Sequence, residues 1–266
     1  MPIYPTLTQI AQVSALGIFS GPQASFASAQ AIVSRLKRGQ EWANKRLPGV
    51  IGRFAEFSPV EVSLPLVERR SSMRLWAQFA EDWGVQLQSA PRILTARGAL
   101  GVLARRSLSV SGPNGGAACI VAPNVLEAGI RGKFDLGDWA KWVALRGAVD
   151  VWLSSRTPFF EEYCRELVPV ASIDPIELSR QLLVRDCIID VFMDSLTPKD
   201  LSSVKWIDAH RPADFMVDGA LVTLLGGLVP QGVIQARREM VSYVREVVAG
   251  PGLESILTSR MWPSFQ

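Results

Sequence analysis

The sequence predicts a mainly α (α+β) domain with a minor sheet of two or three short strands. Three observations predict it. Most of the 266 residues fall in segments whose apolar members recur at helical spacing. Only Val60 to Val67 and Ala117 to Ala122 read as strands. No repeat, low-complexity segment or linker divides the chain, so one domain over 1–266 is expected.

The elements follow in order. Gln9 to Phe19 reads as a helix stopped by Gly21-Pro22, and Ser25 to Arg46 as a second one ending at Leu47-Pro48-Gly49. The second helix carries Arg35, Lys37, Arg38, Lys45 and Arg46 on its polar side, which reads first as a solvated face. In Val60 to Val67, the residues Val60, Val62, Leu64 and Leu66 alternate with polar or small ones, and Pro65 suggests an edge or a break. Helices are expected over Ser71 to Asp82 and Thr95 to Ser107. Ser111 to Gly116 reads as a turn; it lacks the Lys-Ser/Thr of a phosphate-binding loop. The strand Ala117 to Ala122 is expected to end at Pro123-Asn124. Beyond it, helices are expected over Asp138 to Leu153, Phe159 to Leu167, Pro175 to Asp194, Pro212 to Leu228 and Ile234 to Ala249.

Composition bounds the chemistry. Apolar residues make up 48% and charged residues 20%, enough for a sizeable core. The chain has one histidine, His210, which excludes any site built from two imidazoles of one copy. His210 stands in a polar stretch and reads as a surface residue or one at a helix start. Cys119, Cys164 and Cys187 form no CxxC pair, and reduced thiols in a cytoplasmic protein are expected. The net charge of +3 is mild. The first twenty residues lack a basic n-region, and Gly219 to Ile234, the longest uncharged stretch considered for a span, is short and broken by glycines and Pro230. No membrane partner is expected.

One helix breaks its own pattern. Between Asp138 and Leu153 at 100° per residue, Arg146 and Asp150 fall inside an arc that also holds Trp139, Trp142, Val143, Val149 and Leu153. Asp138 suits an N-terminal cap or first-turn acid. Two opposite charges one turn apart inside an apolar stripe must pair with each other or with nearby groups. Gly147 sits between them, where glycine costs about 1 kcal/mol relative to alanine. The plain alternative is a semi-buried salt bridge with close packing at the glycine.

Three segments carry a family resemblance. Cys119-Ile120-Val121-Ala122-Pro123-Asn124, then Trp142 through Asp150, then Pro158-Phe159-Phe160-Glu161-Glu162-Tyr163 together resemble the type-2 zincin-like metallopeptidases. These are mostly actinobacterial proteins, many labelled zinc-dependent hydrolases or coenzyme F-420 biosynthesis-associated proteins. Leu66-Val67-Glu68-Arg69 with Trp76, the segment Arg97 to Arg106, and the tail from Arg238 through Trp262-Pro263 extend the resemblance in order and spacing. The resemblance implies a zincin-like fold and a helix reading Trp-Val-x-Leu-His-Glu-x-x-His.

The departure falls on the chemistry. The first histidine position is Arg146, the glutamate position Gly147 and the second histidine position Asp150. A later Leu-Glu-Gly-His-Ala-like segment corresponds to Val217-Asp218-Gly219-Ala220-Leu221, with Ala220 at the histidine. A guanidinium has only donors, and glycine offers no base. No zinc or other cofactor is therefore expected. Arg146 is expected to bridge Asp150, and also Asp218, in the vacated metal position. The leading reading is a catalytically inactive homologue that binds, scaffolds or regulates through a peptide or protein partner. The alternative is a hydrolase using Asp150 and Asp218, with Glu161 or Glu162, as acid and base or around magnesium. Nucleic acid is a weak third reading, resting on Arg35 to Arg46, Arg69, Arg70, Arg74 and Arg105-Arg106.

Overall fold

The computed structural model describes residues 4–111, 118–170, 175–211, 215–226 and 233–249, with Leu253 and Leu257. Among the described residues the chain is mainly helical, with a small sheet of three short strands. The N-terminal part holds α1 (Leu7–Ala15), α2 (Phe26–Ile51), β1 (Leu66–Val67), α3 (Arg69–Asp82) and α4 (Ala90–Arg106). The centre holds β2 (Ser109–Val110), β3 (Cys119–Val121), α5 (Ala122–Arg131) and α6 (Leu136–Arg156). Then come α7 (Pro158–Val170), α8 (Pro175–Asp194), α9 (Val204–His210), α10 (Phe215–Leu225) and α11 (Val233–Ala249).

The strand order is β1-β3-β2. β1 runs parallel to β3 with Leu66 opposite Ile120, and β2 runs antiparallel to it with Ser109 opposite Ile120. β3 is therefore the middle strand, and all three of its residues are buried. β1 is shorter than the alternation from Val60 suggested. Only Leu66 and Val67 pair, while Leu64 is buried as a plug against Gly147. Alternation there reports one-sided burial rather than a ladder.

The first two helices begin on side-chain caps. Thr6 and Gln9 form a capping box at α1, and Ser25 accepts from the Ser28 amide at α2. α2 runs through Pro48 instead of stopping there, because Val50 and Ile51 are fully buried and hold the last turn in place. α5 was not expected, since Pro123 reads as a strand terminator. It lies in the first turn of the helix, where its missing N–H leaves no bond unmade. The seven-residue α9 is too short to show a period. The turn expected at Ser111 to Gly116 lies, apart from Ser111, outside the described residues.

α6 is the axis of the molecule. Asp135, not Asp138, caps it, accepting from the amides of Gly137 (2.9 Å) and Asp138 (2.8 Å). Asp138 is the first-turn acid and ties down the start of α9 through Ser202 (2.7 Å) and the Ser203 amide (3.1 Å). On one side α6 meets α2 so closely that a Cβ on Gly39 would lie 2.8 Å from the Ala140 carbonyl oxygen. The buried apolar residues form one contiguous cluster from Leu7 to Leu257. Among the described residues no helix is long and apolar enough to cross a membrane.

Candidate functional site

The α6 stripe places Arg146 and Asp150 toward α8, and there each meets a charge of opposite sign. Arg146 Nη2 lies 2.5 Å from Asp186 Oδ1 and 3.8 Å from Asp190 Oδ1. Asp150 Oδ1 lies 2.5 Å from Arg185 Nη2. The pairing is a crossed one: Arg146 and Asp150, one turn apart on α6, face Asp186 and Arg185, adjacent on α8. The bridge expected between Arg146 and Asp150 does not form. Each finds a nearer partner on α8, because both side chains of one helix face point at the neighbouring helix rather than along their own. Asp218 lies on α10, and its side chain is outside the described residues.

The network continues away from α6. Arg237 on α11 donates to Asp186 (2.5 Å) and Asp190 (2.6 Å), and Arg211, after α9, donates to Asp190 (3.0 Å). Arg211 also lies over the Trp142 ring at 5.2 Å. Burial alone would raise the Asp186 pKa, but the Arg146 and Arg237 guanidiniums outweigh it and hold the carboxyl well below the usual carboxylate range. Asp194, one turn on, goes the other way: burial and the Asp190 charge push it up.

Asp150 faces a cleft of about 130 Å³. Trp76, Phe79 and Trp83 of the α3 region form an aromatic wall, and Ser107, Ser109 and Ser111 form the side along β2. Arg146, Asp150, Arg185 and Asp186 lie across from them, with Phe160 and Glu161 from α7. The Ser111 hydroxyl donates to Asp150 Oδ2. Arg185 compensates the charge on Oδ1 but is off hydrogen-bond geometry, so that oxygen has no aligned donor. The indole N–H groups of Trp76 and Trp83 and the Ser107 hydroxyl are buried without hydrogen-bond partners among the described residues. A cleft with an aromatic wall facing charged and hydroxyl groups has the ingredients of a recognition site.

The residues do not fit zinc. Arg146 fills the expected first-ligand position with a fixed positive charge, and its described contacts are to carboxylates. Asp150 is engaged by Arg185 and Ser111. Ala220 is buried and apolar. Gly147 has the Leu64 side chain above it, where a Cβ would come within 3.1 Å of Cδ1. No cluster of three His, Cys, Asp or Glu among the described residues has metal-site geometry.

The other singled-out residues divide plainly. Glu161 is buried at the cleft, whereas Glu162 is exposed outside it. His210 ends α9, exposed and stacked on Trp206 at 3.7 Å, so it marks a helix end rather than a start. The cysteines are buried and separate, and burial pushes the Cys119 thiol up to about 11, so none is a poised nucleophile. Arg185, Asp186, Asp190, Arg237 and Ser111 escaped sequence reasoning. For three of them the signal was present: Arg185, Asp186 and Asp190 interrupt the apolar run Leu182 to Met193 as Arg146 and Asp150 interrupt α6.

Asn124 and Arg69, from two of the segments that carry the resemblance, have a structural role of their own. Asn124 donates to the Ala104 (3.0 Å) and Ser107 (2.7 Å) carbonyls and accepts from Arg69 Nε (2.6 Å). Arg69 also pairs with Glu127. This polar knot joins α3, α4 and α5. Comparison of the chain with family models, curated proteins and solved structures returns no match.

Proposed function

We propose that this chain is a catalytically inactive zincin-like homologue of the cytoplasm that binds a peptide or protein segment in the cleft between α3, β2, α6 and α8. The observation that carries the reading is Arg146. The resemblance assigns its position to the first zinc-binding histidine, and Asp186 and Asp190 hold its guanidinium on α6's α8-facing side. A permanent cation in that place opposes metal binding by direct repulsion. Gly147 supplies no proton acceptor, which removes the general base of the zinc-hydroxide mechanism. What is left is a cleft wide enough for one side chain, with an aromatic wall and a polar side along a strand edge. That suits binding and scaffolding, with zinc and other cofactors absent from the function.

The test is elemental analysis of untagged full-length protein together with a broad hydrolase panel. We expect zinc far below one equivalent and no hydrolysis above background. Stoichiometric zinc overturns the reading.

One contact favours a second reading, a carboxylate-based hydrolase. The Ser111 hydroxyl sits on Asp150, a nucleophile type beside a possible base. The same panel separates the two: hydrolysis abolished in both Asp150→Ala and Ser111→Ala supports the enzyme.

A further inference from the structure

We propose that the connection between α1 and α2, with an arginine-lined pocket beside it, docks on an anionic phospholipid surface. Residues 1–34 contain no Lys, Arg, His, Asp or Glu; the first charge in the chain is Arg35. Inside that neutral stretch, Leu16 is 78% exposed, and Phe19 and Phe26 are each 83% exposed. Leu16 caps the end of α1, Phe19 lies in the connection and Phe26 opens α2. Ile18 of the same segment is buried, and Gly21 packs so close to Pro123 that a Cβ there would lie 2.8 Å from the proline Cβ. The apolar side chains are thus carried on an anchored loop.

Entering a bilayer interface is opposed chiefly by desolvation of charge, and this loop has none to desolvate. Exposed charges follow behind it, through Pro123, on which Gly21 packs. Pro123 leads into Asn124, which binds Arg69 and the carbonyls at the end of α4. There Arg69, Val102, Arg105, Arg106 and Glu127 line a pocket of about 320 Å³. Glu127 is committed to Arg69 and Arg131. Arg105 and Arg106 are exposed and form no ion pair among the described residues, nor do the exposed Lys37 and Arg38 of α2. A neutral apolar tip flanked by unpaired cations complements hydrocarbon and phosphate in the order in which a membrane presents them. Interfacial docking needs no spanning helix. It departs from the expectation of no membrane partner, which rested on the absence of a span.

The experiment is cosedimentation of the full-length protein with phosphatidylcholine vesicles, with and without phosphatidylglycerol. We expect binding to the anionic vesicles that weakens as salt rises. Phe19→Asp with Phe26→Asp is expected to lower it about tenfold or more, since each aromatic loses its burial. Arg105→Gln with Arg106→Gln is expected to remove the preference for phosphatidylglycerol. Both pairs are exposed, and unchanged circular dichroism will show that the variants fold. No binding at low salt overturns the proposal, as does binding indifferent to the Phe19 and Phe26 changes. A dimer in solution that those changes convert to monomer also overturns it, making the loop a self-interface.

Discussion

Two polar clusters lie inside this molecule, and they are built on opposite plans. The knot of Arg69, Asn124 and Glu127 joins α3, α4 and α5 with one amide side chain tied to two backbone carbonyls. The charged network of Arg146, Asp150, Arg185, Asp186, Asp190 and Arg237 joins α6, α8 and α11 mainly through side-chain ion pairs. The knot hangs on one residue, Asn124, which is fixed by two main-chain carbonyls. The network shares Asp186 and Asp190 among several guanidiniums and opens onto a cleft. The difference separates a joint from a site: a joint loses everything with one group, whereas a site can lose a partner and close up.

The largest effect follows from the knot. Asn124→Leu leaves two buried carbonyls and the Arg69 guanidinium short of partners, and a loss of about 3–5 kcal/mol is expected. Urea unfolding measures it. A loss under about 1 kcal/mol would mean that water replaces Asn124, and the contrast between the clusters would fail.

The network should yield less. Asp186→Ala removes one carboxylate, but Arg237 keeps Asp190 at 2.6 Å, so about 2–3 kcal/mol is expected. Arg146→Met combined with Asp186→Leu removes both charges of the closest pair. That double variant is expected within about 1 kcal/mol of the parent, because apolar residues of similar volume replace a buried pair well. Additive losses from the two changes would show that the pair is not coupled.

The same network sets a dependence on pH. The Asp186 pKa is lower folded than unfolded, because Arg146 and Arg237 outweigh the effect of burial. The Asp138 pKa is lowered too, where bonds from Ser202, Ser203 and Lys141 outweigh its burial. A depressed carboxylate contributes its stability fully above the unfolded value, about 4, and loses it as pH falls toward the folded value. Stability should therefore drop below about pH 4, and the drop should be shallower in Asp186→Asn. Equal slopes in urea titrations of the two proteins would remove Asp186 from the acid response.

How much of this was legible in the sequence follows from where each pattern gets its cause. The α8 bounds were readable from Pro175 to Asp194, since Pro175 suits a first helical turn and the apolar run after it is too long for a strand. The misfit of Arg146 and Asp150 was readable because a helix wheel needs only local geometry. Their partners were not, because a crossed pairing of α6 on α8 depends on how two distant segments pack. Trying to pair Arg146 with Asp150 used the only neighbours that sequence spacing offers. α5 was hidden for a different reason: Pro123 fits a strand end and a first helical turn equally well, and only the buried Asn124 decides between them.

The smallest effect tests why Gly147 is a glycine. A helix gains up to about 1 kcal/mol when alanine replaces an interior glycine. Against that, the new Cβ would sit 3.1 Å from Leu64 Cδ1. Leu64 can turn its side chain end, so Gly147→Ala is expected to change stability by no more than about 0.5 kcal/mol, with the gain and the crowding nearly cancelling. Gly39 is the control. There the Cβ would meet the Ala140 backbone at 2.8 Å, and backbone inside a helix cannot turn away, so Gly39→Ala is expected to lose about 1–3 kcal/mol. Thermal midpoints of the two variants give the answer. If Gly147→Ala falls as far as Gly39→Ala, Leu64 is locked, and the space above Gly147 is closed by packing. If it does not, Leu64 yields, and on the proposed reading only the glycine itself keeps a side chain out of that place.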